Sequence, residues 1–281
     1  MRADLHVHSN ASDGTDPPAE VMRRAARAGL DVVALTDHDT VAGHAQARQA
    51  LPGSLILVPG MELSCRLEDR SMHLLAYLFD PQDLELAAET RRIRDDRVLR
   101  ARAMVDRLAG LGVPITWDDV TAIAGTAVVG RPHIARAMAA SGAITSPGQA
   151  FTPDWIADGG RAYVGRYALD PARAIALVRS AGGVAVLAHP RADRALFVDD
   201  AQIAVLAAAG LAGVEVFHPD QPESEQASLL GLTRDLGLVA SGGSDDHGSL
   251  TGHRIGSHTA AEDAYEILIS QATGARPVHG G

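Results

Sequence analysis

The sequence predicts an α/β protein built around a largely parallel sheet, with a helical segment inserted partway along the chain. Three observations carry this expectation. Short, nearly continuous apolar runs alternate with amphipathic stretches, as strands buried on both faces alternate with helices. The alternation stops after Asp80 and resumes near residue 171. In a chain of 281 residues, 46% are hydrophobic, enough for one large core or two average ones.

The first run, ADLHVHS (3–9), reads as a strand, and PPAEVMRRAARAG (17–29) as a helix stopped by Gly29. LDVVALTDHD (30–39) is the second strand, followed by a helix over 41–50. SLILVPGMELSC (54–65) and SMHLLAYLF (71–79) are the third and fourth strands, and the link RLEDRS (66–71) is short enough for a hairpin. One long helix follows from Asp83 to about Leu111, then shorter ones near 116–124, 131–141 and 146–158. Residues 81–159 thus form a helical insertion between 1–80 and 160–281. Alternation returns with a helix at 171–181, the strand GGVAVLAH (182–189) and a helix at 199–209. Then come the strand GVEVF (213–217), a helix at 222–236, the strand GLVASGGSDDH (237–247) and a closing helix at 261–272. The tail HGG is expected to fray.

Composition narrows the chemistry. The chain has no lysine, so all 25 basic residues are arginine, which excludes a Schiff-base lysine, a P-loop lysine and a lysine carbamate between metals. A formal charge of −10 argues against a long polyanion or duplex DNA as partner but leaves room for a short nucleotide. The single cysteine, Cys65, cannot form an intrachain disulfide and reads as a small buried apolar side chain. No run approaches about 18 apolar residues and no secretory layout opens the chain, so a cytoplasmic protein away from membranes is expected.

Metal-ligand chemistry collects at the strand ends. The first strand carries His6 and His8, with Asp13 just beyond; the second carries Asp37 and His38, the third Glu62, the fourth His73. His189, His218, and the pair Asp245 and His247 follow after the insertion. In α/β sheets the site lies at the carboxyl ends of the strands, so these side chains are expected to converge. Both histidines of an H-x-H strand point to one face, because side-chain direction has a period of two. A lone strand-end histidine is ordinarily a core or surface residue. The repetition at strand after strand is what a structural role does not explain, since buried charges are costly unless paired or metallated.

Read together, DLHVHSNASDG, LTDHDT, GMELS, HLLAY, LAHP and GGSDDH resemble the PHP (polymerase and histidinol phosphatase) superfamily of metal-dependent phosphoesterases. Their order resembles the branch with a helical insertion. The resemblance implies a distorted seven-stranded β/α barrel of TIM type with a trinuclear site. His6, His8, Glu62 and Asp245 would hold one metal; Glu62 would bridge to a second held by His73 and His189. Asp13, His38 and His247 would hold the third. Two or three divalent ions, Mn, Zn or Fe, suit such ligands, and hydrolysis by metal-bound hydroxide follows. Asp4 and Asp37 would either orient histidines or serve as plain strand-end hydrogen-bonding groups.

The insertion is expected to close over the site, with Arg131 and His133 of VGRPHIARAM binding phosphate. His218 of EVFHPD is a further candidate contact to substrate. The arginine run at 91–107 has interspersed acids and apolar positions, and reads as a solvated amphipathic helix rather than a nucleic-acid surface. His44, His253, His258 and His279 read as surface residues. The branch implies a small phosphorylated partner, either a nucleoside 3′,5′-bisphosphate or the 5′ end of short RNA, with no protein partner. Histidinol phosphate, an amidohydrolase-type reaction and a non-catalytic module are the alternatives.

Overall fold

The computed structural model describes residues 1–68, 70–125, 129–165, 167–192, 197–261 and 263–281. Asp69 of the RLEDRS link and Glu262 of the closing helix lie outside the described residues. The chain divides into two compact units, residues 1–90 with 168–281, and residues 91–167.

The first unit carries the strands β1 (Ala3–Val7), β2 (Val32–Leu35), β3 (Ile56–Leu67), β4 (Arg70–Tyr77), β5 (Val184–Leu187), β6 (Gly213–Phe217), β7 (Val239–Gly242) and β8 (Val278–His279). They lie in one sheet in sequence order from β1 to β7. The two ends of that path meet: Val7 bridges Asp246, His8 N donates to Asp246 O at 2.9 Å, and Asp245 N donates to His6 O at 2.8 Å. The result is a nearly closed barrel-like α/β sheet. Between the strands come α1 (Pro18–Arg27), α2 (His44–Gln49), α6 (Pro171–Ser180), α7 (Asp200–Ala208), α8 (Glu223–Leu236) and α9 (Ala264–Gln271).

Alternate strand residues feed opposite cores, as a period of two requires. Val32, Ala34, Val58, Leu75, Val186 and Val239 join α9 in one cluster. Val33, Leu35 and Leu57 join α1 and α2 in another. Burying each Val or Leu contributes about 1.5–3 kcal/mol, so strands apolar on both faces are held from both sides.

One alternative left open by the sequence is resolved here, and two expectations change. β4 runs antiparallel to both β3 and β5, so the parallel sheet contains one reversed strand, made by the hairpin that the short link allows. Residues 146–158 do not form a helix: one tight turn at Pro147–Ala150 is followed by irregular turns. Pro147, Pro153, Gly159 and Gly160 explain this, because proline lacks the amide that an interior helical turn needs and glycine is a poor helix former. The tail is ordered up to His279, where β8 pairs with Ile56 and Leu57 of β3.

The second unit contains most of α3 (Leu84–Gly110), with α4 (Trp117–Ala124) and α5 (Arg131–Ala140). Met104, Val105, Leu108, Val120, Ile134 and Met138 pack its core. The arginines of α3 are engaged in packing: Arg92 stacks 3.8 Å over Tyr167, and Arg102 stacks 4.3 Å over Trp117. Arg100 donates to Val164 O at 2.6 Å. These contacts agree with the amphipathic reading of the run.

Candidate metal centre

The strand ends of the first unit bring nine nitrogen- and oxygen-bearing side chains together. His6 and His8, on one face of β1, present Nε2 atoms 3.0 Å apart. Each Nε2 lies 3.3 Å from Asp245 Oδ1. Glu62, halfway along β3, sits between the others. Its Oε2 is 3.3 Å from His6, 3.1 Å from His8 and 3.2 Å from His38. Its Oε1 is 2.8 Å from His73 and 3.1 Å from His189. Asp13 faces His247 at 3.2 Å and His38 at 3.7 Å. Three groups have donor atoms all within 4.8 Å of one another: His6, His8, Glu62, Asp245; His8, Asp13, His38, His247; and His38, Glu62, His73. His8 and His38 each stand in two groups, a sharing the sequence does not reveal.

His73 arrives by a different route from the one expected. It lies in the N-terminal half of β4, opposite Ser64, and reaches this rim because β4 is reversed. Three other residues leave their strands with left-handed backbone: Asp39 at φ 54°, His189 at 27° and Asp245 at 48°. Each such non-glycine residue costs about 1–3 kcal/mol and persists only where its surroundings fix it. Asp39 N donates to Glu62 O at 3.0 Å, His189 N to Glu215 Oε2 at 2.8 Å, and Asp245 N to His6 O.

Gly243 lets β7 approach His6, because a Cβ there would fall against His6 Cβ and come within 2.6 Å of His6 N. Gly243→Ala is therefore expected to destabilise the fold by about 1–3 kcal/mol, the range for overpacking a tight site. Thermal denaturation measures it, and an unshifted midpoint would refute the close approach.

Among the described residues Asp4 and Asp37 bond backbone amides and serine hydroxyls rather than imidazoles. Asp4 accepts from the backbone amides of His6, Ser244 and Gly256 at 3.3, 2.9 and 2.8 Å. Asp37 accepts from Ser9 N, Ser9 Oγ and Ser12 Oγ at 2.8, 2.7 and 2.7 Å. Short aspartate side chains at strand ends reach neighbouring backbone groups more readily than distant rings. The ring of His6 is oriented instead by Glu215 of β6, fully buried, whose Oε1 lies 3.0 Å from His6 Nδ1. Sequence reading missed this residue, although a carboxylate in the middle of the apolar strand GVEVF was a signal. His247 donates from Nδ1 to Asp245 O at 3.1 Å.

The remaining candidates fall in different places. His218, at the end of β6, is buried with Nε2 3.5 Å from Asp245 Oδ2. Arg131 and His133 belong to the second unit. There Arg131 pairs with Asp158 at 2.6 Å, and His133 Nδ1 accepts from Gly130 N at 2.9 Å at the start of α5. His44 is buried rather than on the surface, with Nε2 2.8 Å from Gly60 O; a short helix between two strands leaves it no other direction. His253 and His279 are exposed, and His258 is partly so.

The electrostatics suit cations. Burial by itself would raise the carboxyl pKa values of Glu62, Asp13 and Asp245, but the surrounding imidazoles hold all three well below the usual range. Burial also opposes charge on His8, yet Asp245 and Glu62 push it up to about 10. Burial wins at His38, which falls to about 3. His8 Nδ1 and His38 Nδ1 are buried without a hydrogen-bond partner among the described residues. Orphaned buried ring nitrogens beside anionic oxygens are costly in an empty cluster and fit divalent metal ions of the borderline first-row type.

Known proteins place this arrangement. The model of the PHP domain matches residues 4–92. The chain is 33% identical to the 5′-3′ exoribonuclease of Haemophilus influenzae over 252 residues, spanning 87% of this chain and 89% of that protein. It is 33% identical to the 3′,5′-nucleoside bisphosphate phosphatase of Chromobacterium violaceum over 91% of this chain and 90% of that one. A crystal structure of a proposed metal-dependent phosphoesterase from Bifidobacterium adolescentis superposes with a TM-score of 0.88 at 34% identity, covering 96% of each chain. Sheet, donor cluster and relatives together define a metal-dependent phosphoesterase, a hydrolase of phosphate esters. The chain belongs to the PHP family.

Proposed function

We propose that the chain removes a phosphate from a small nucleotide, a nucleoside 3′,5′-bisphosphate, or acts at the 5′ end of short RNA. The observation that carries this reading is Glu62, whose two oxygens each face a different set of imidazoles. The relatives' named substrates support a phosphoester beside a ribose. The charge of −10 favours the mononucleotide over long RNA.

In this reading His6, His8, Glu62 and Asp245 hold one ion, Glu62, His73 and His189 a second, and Asp13, His38 and His247 a third, with Mn, Zn or Fe as the metal. Bound there, such ions acidify water and offset phosphoryl charge. The chain's own groups position them. Glu215 fixes the His6 ring, and the Asp245 carbonyl fixes His247. His218 contacts the substrate phosphate. We place the protein in the cytoplasm; no described helix is long and apolar enough to cross a membrane.

Phosphate release from adenosine 3′,5′-bisphosphate by the Mn-loaded protein tests the proposal, with His247→Ala as control. The variant is expected to lose several kcal/mol of transition-state stabilisation, roughly a thousandfold in rate. No release above that of the variant would overturn the bisphosphate assignment; turnover of short RNA or histidinol phosphate alone would redirect it.

A further inference from the structure

An imidazole can serve a site of this kind in two incompatible ways, by a lone pair turned to a metal or by an N–H turned to a substrate oxygen. The partner of the other ring nitrogen decides which. His6 and His247 give away their Nδ1 protons, to Glu215 and to the Asp245 carbonyl, so Nε2 of each keeps a lone pair toward the cluster. His218 is wired the opposite way. Its Nδ1 accepts the backbone N–H of Asp220 at 3.0 Å, which engages the lone pair there and leaves the ring proton on Nε2.

The turn that imposes this state is well held. Gln221 donates from its side chain to Glu215 O at 3.1 Å and Val216 O at 2.8 Å, and Gln226 donates to His218 O at 3.2 Å. Arg254 grips the Asp220 carboxylate from Nη1 at 3.1 Å and Nη2 at 3.3 Å. To turn a lone pair to a metal, His218 would have to move its proton to Nδ1 and lose the Asp220 amide. Meanwhile Nε2 is buried and meets Asp245 Oδ2 only at 3.5 Å, a long contact that leaves it short of a full hydrogen bond among the described residues. A buried donor left unpaired costs about 1–3 kcal/mol, so it marks a position kept for an acceptor. Of the acceptors a phosphate ester offers, a charged phosphoryl oxygen makes the strongest bond.

We propose that His218 is an Nε2–H donor to a phosphoryl oxygen of the substrate, held in that tautomer by the Asp220 amide, and is not a metal ligand. This deepens the function proposed above and rests on its phosphate-ester substrate.

The test uses the full chain loaded with zinc, labelled with nitrogen-15 at histidine, and inorganic phosphate as the probe. The expected imidazole spectrum has the His218 proton on Nε2, and that resonance moves when phosphate is added. His218→Ala is expected to keep wild-type metal content while binding phosphate about ten- to a hundredfold more weakly, the loss of one hydrogen bond to a charged group. His218→Gln, whose side-chain amide can donate from near the Nε2 position, recovers part of that loss. A metallated Nε2, metal lost from His218→Ala, or unchanged phosphate affinity would each overturn the proposal. Because inorganic phosphate is common to every candidate ester, inactivity toward the bisphosphate beside an intact phosphate effect would sink only the nucleotide assignment.

Discussion

Glu62→Ala is expected to strip the centre of metal and lower phosphate release about a thousandfold. The reasoning is geometric. Five imidazoles approach the two oxygens of this one carboxylate within 3.3 Å. Through these contacts Glu62 alone among the described carboxylates joins the His6–His8 pair to the His73–His189 pair. Deleting it leaves each set short of an anionic donor, and several kcal/mol of charge stabilisation disappear with the ions. That loss converts to roughly three powers of ten in rate. Metal content by mass spectrometry and turnover should fall together. A variant that kept its full metal complement and rate would remove Glu62 from the centre. Glu62→Gln preserves the side chain's shape, so its behaviour separates lost charge from lost packing.

The second large effect is expected at a residue that faces no metal in our assignment. Glu215 receives the Nδ1 proton of His6 on one oxygen and the backbone amide of His189 on the other. Glu215→Gln keeps an oxygen for His189 but confronts His6 with an N–H2 group. His6 must then accept at Nδ1 and carry its proton on Nε2, which removes the lone pair aimed at the cluster. Partners of this kind are worth 10–100-fold in metal affinity or activity. Metal titration by calorimetry should show about that weakening with little change in unfolding temperature. Wild-type affinity in the variant would show that the ring needs no anchor.

The nine clustered side chains were legible because each stands in a short motif in or beside an apolar run. What the sequence concealed has physical reasons. Hydrophobic alternation is the same in either strand direction, so HLLAY gave His73 its face but not the reversal that delivers it. Glu215 stands out as a carboxylate within the apolar run GVEVF, but its partner is set by the sheet order, which brings β6 near β1's histidines through the nearly closed barrel. The two residues of β8 are too few to show any period. Asp4 and Asp37 stood in the right motifs, yet most of their partners are amides and serine hydroxyls of loops whose paths no local pattern encodes.

The union of Val7 with Asp246 has a consequence for the order of events during synthesis. His6 and His8 leave the ribosome long before Asp245 and His247 do. Contacts so distant in sequence form late and slowly, whereas the helical unit at 91–167 can settle from neighbours alone. A nascent chain therefore lacks the full cluster until the segment after β7 has been made. The two groups that draw on Asp245 or His247 come together only when the ends of the strand path meet.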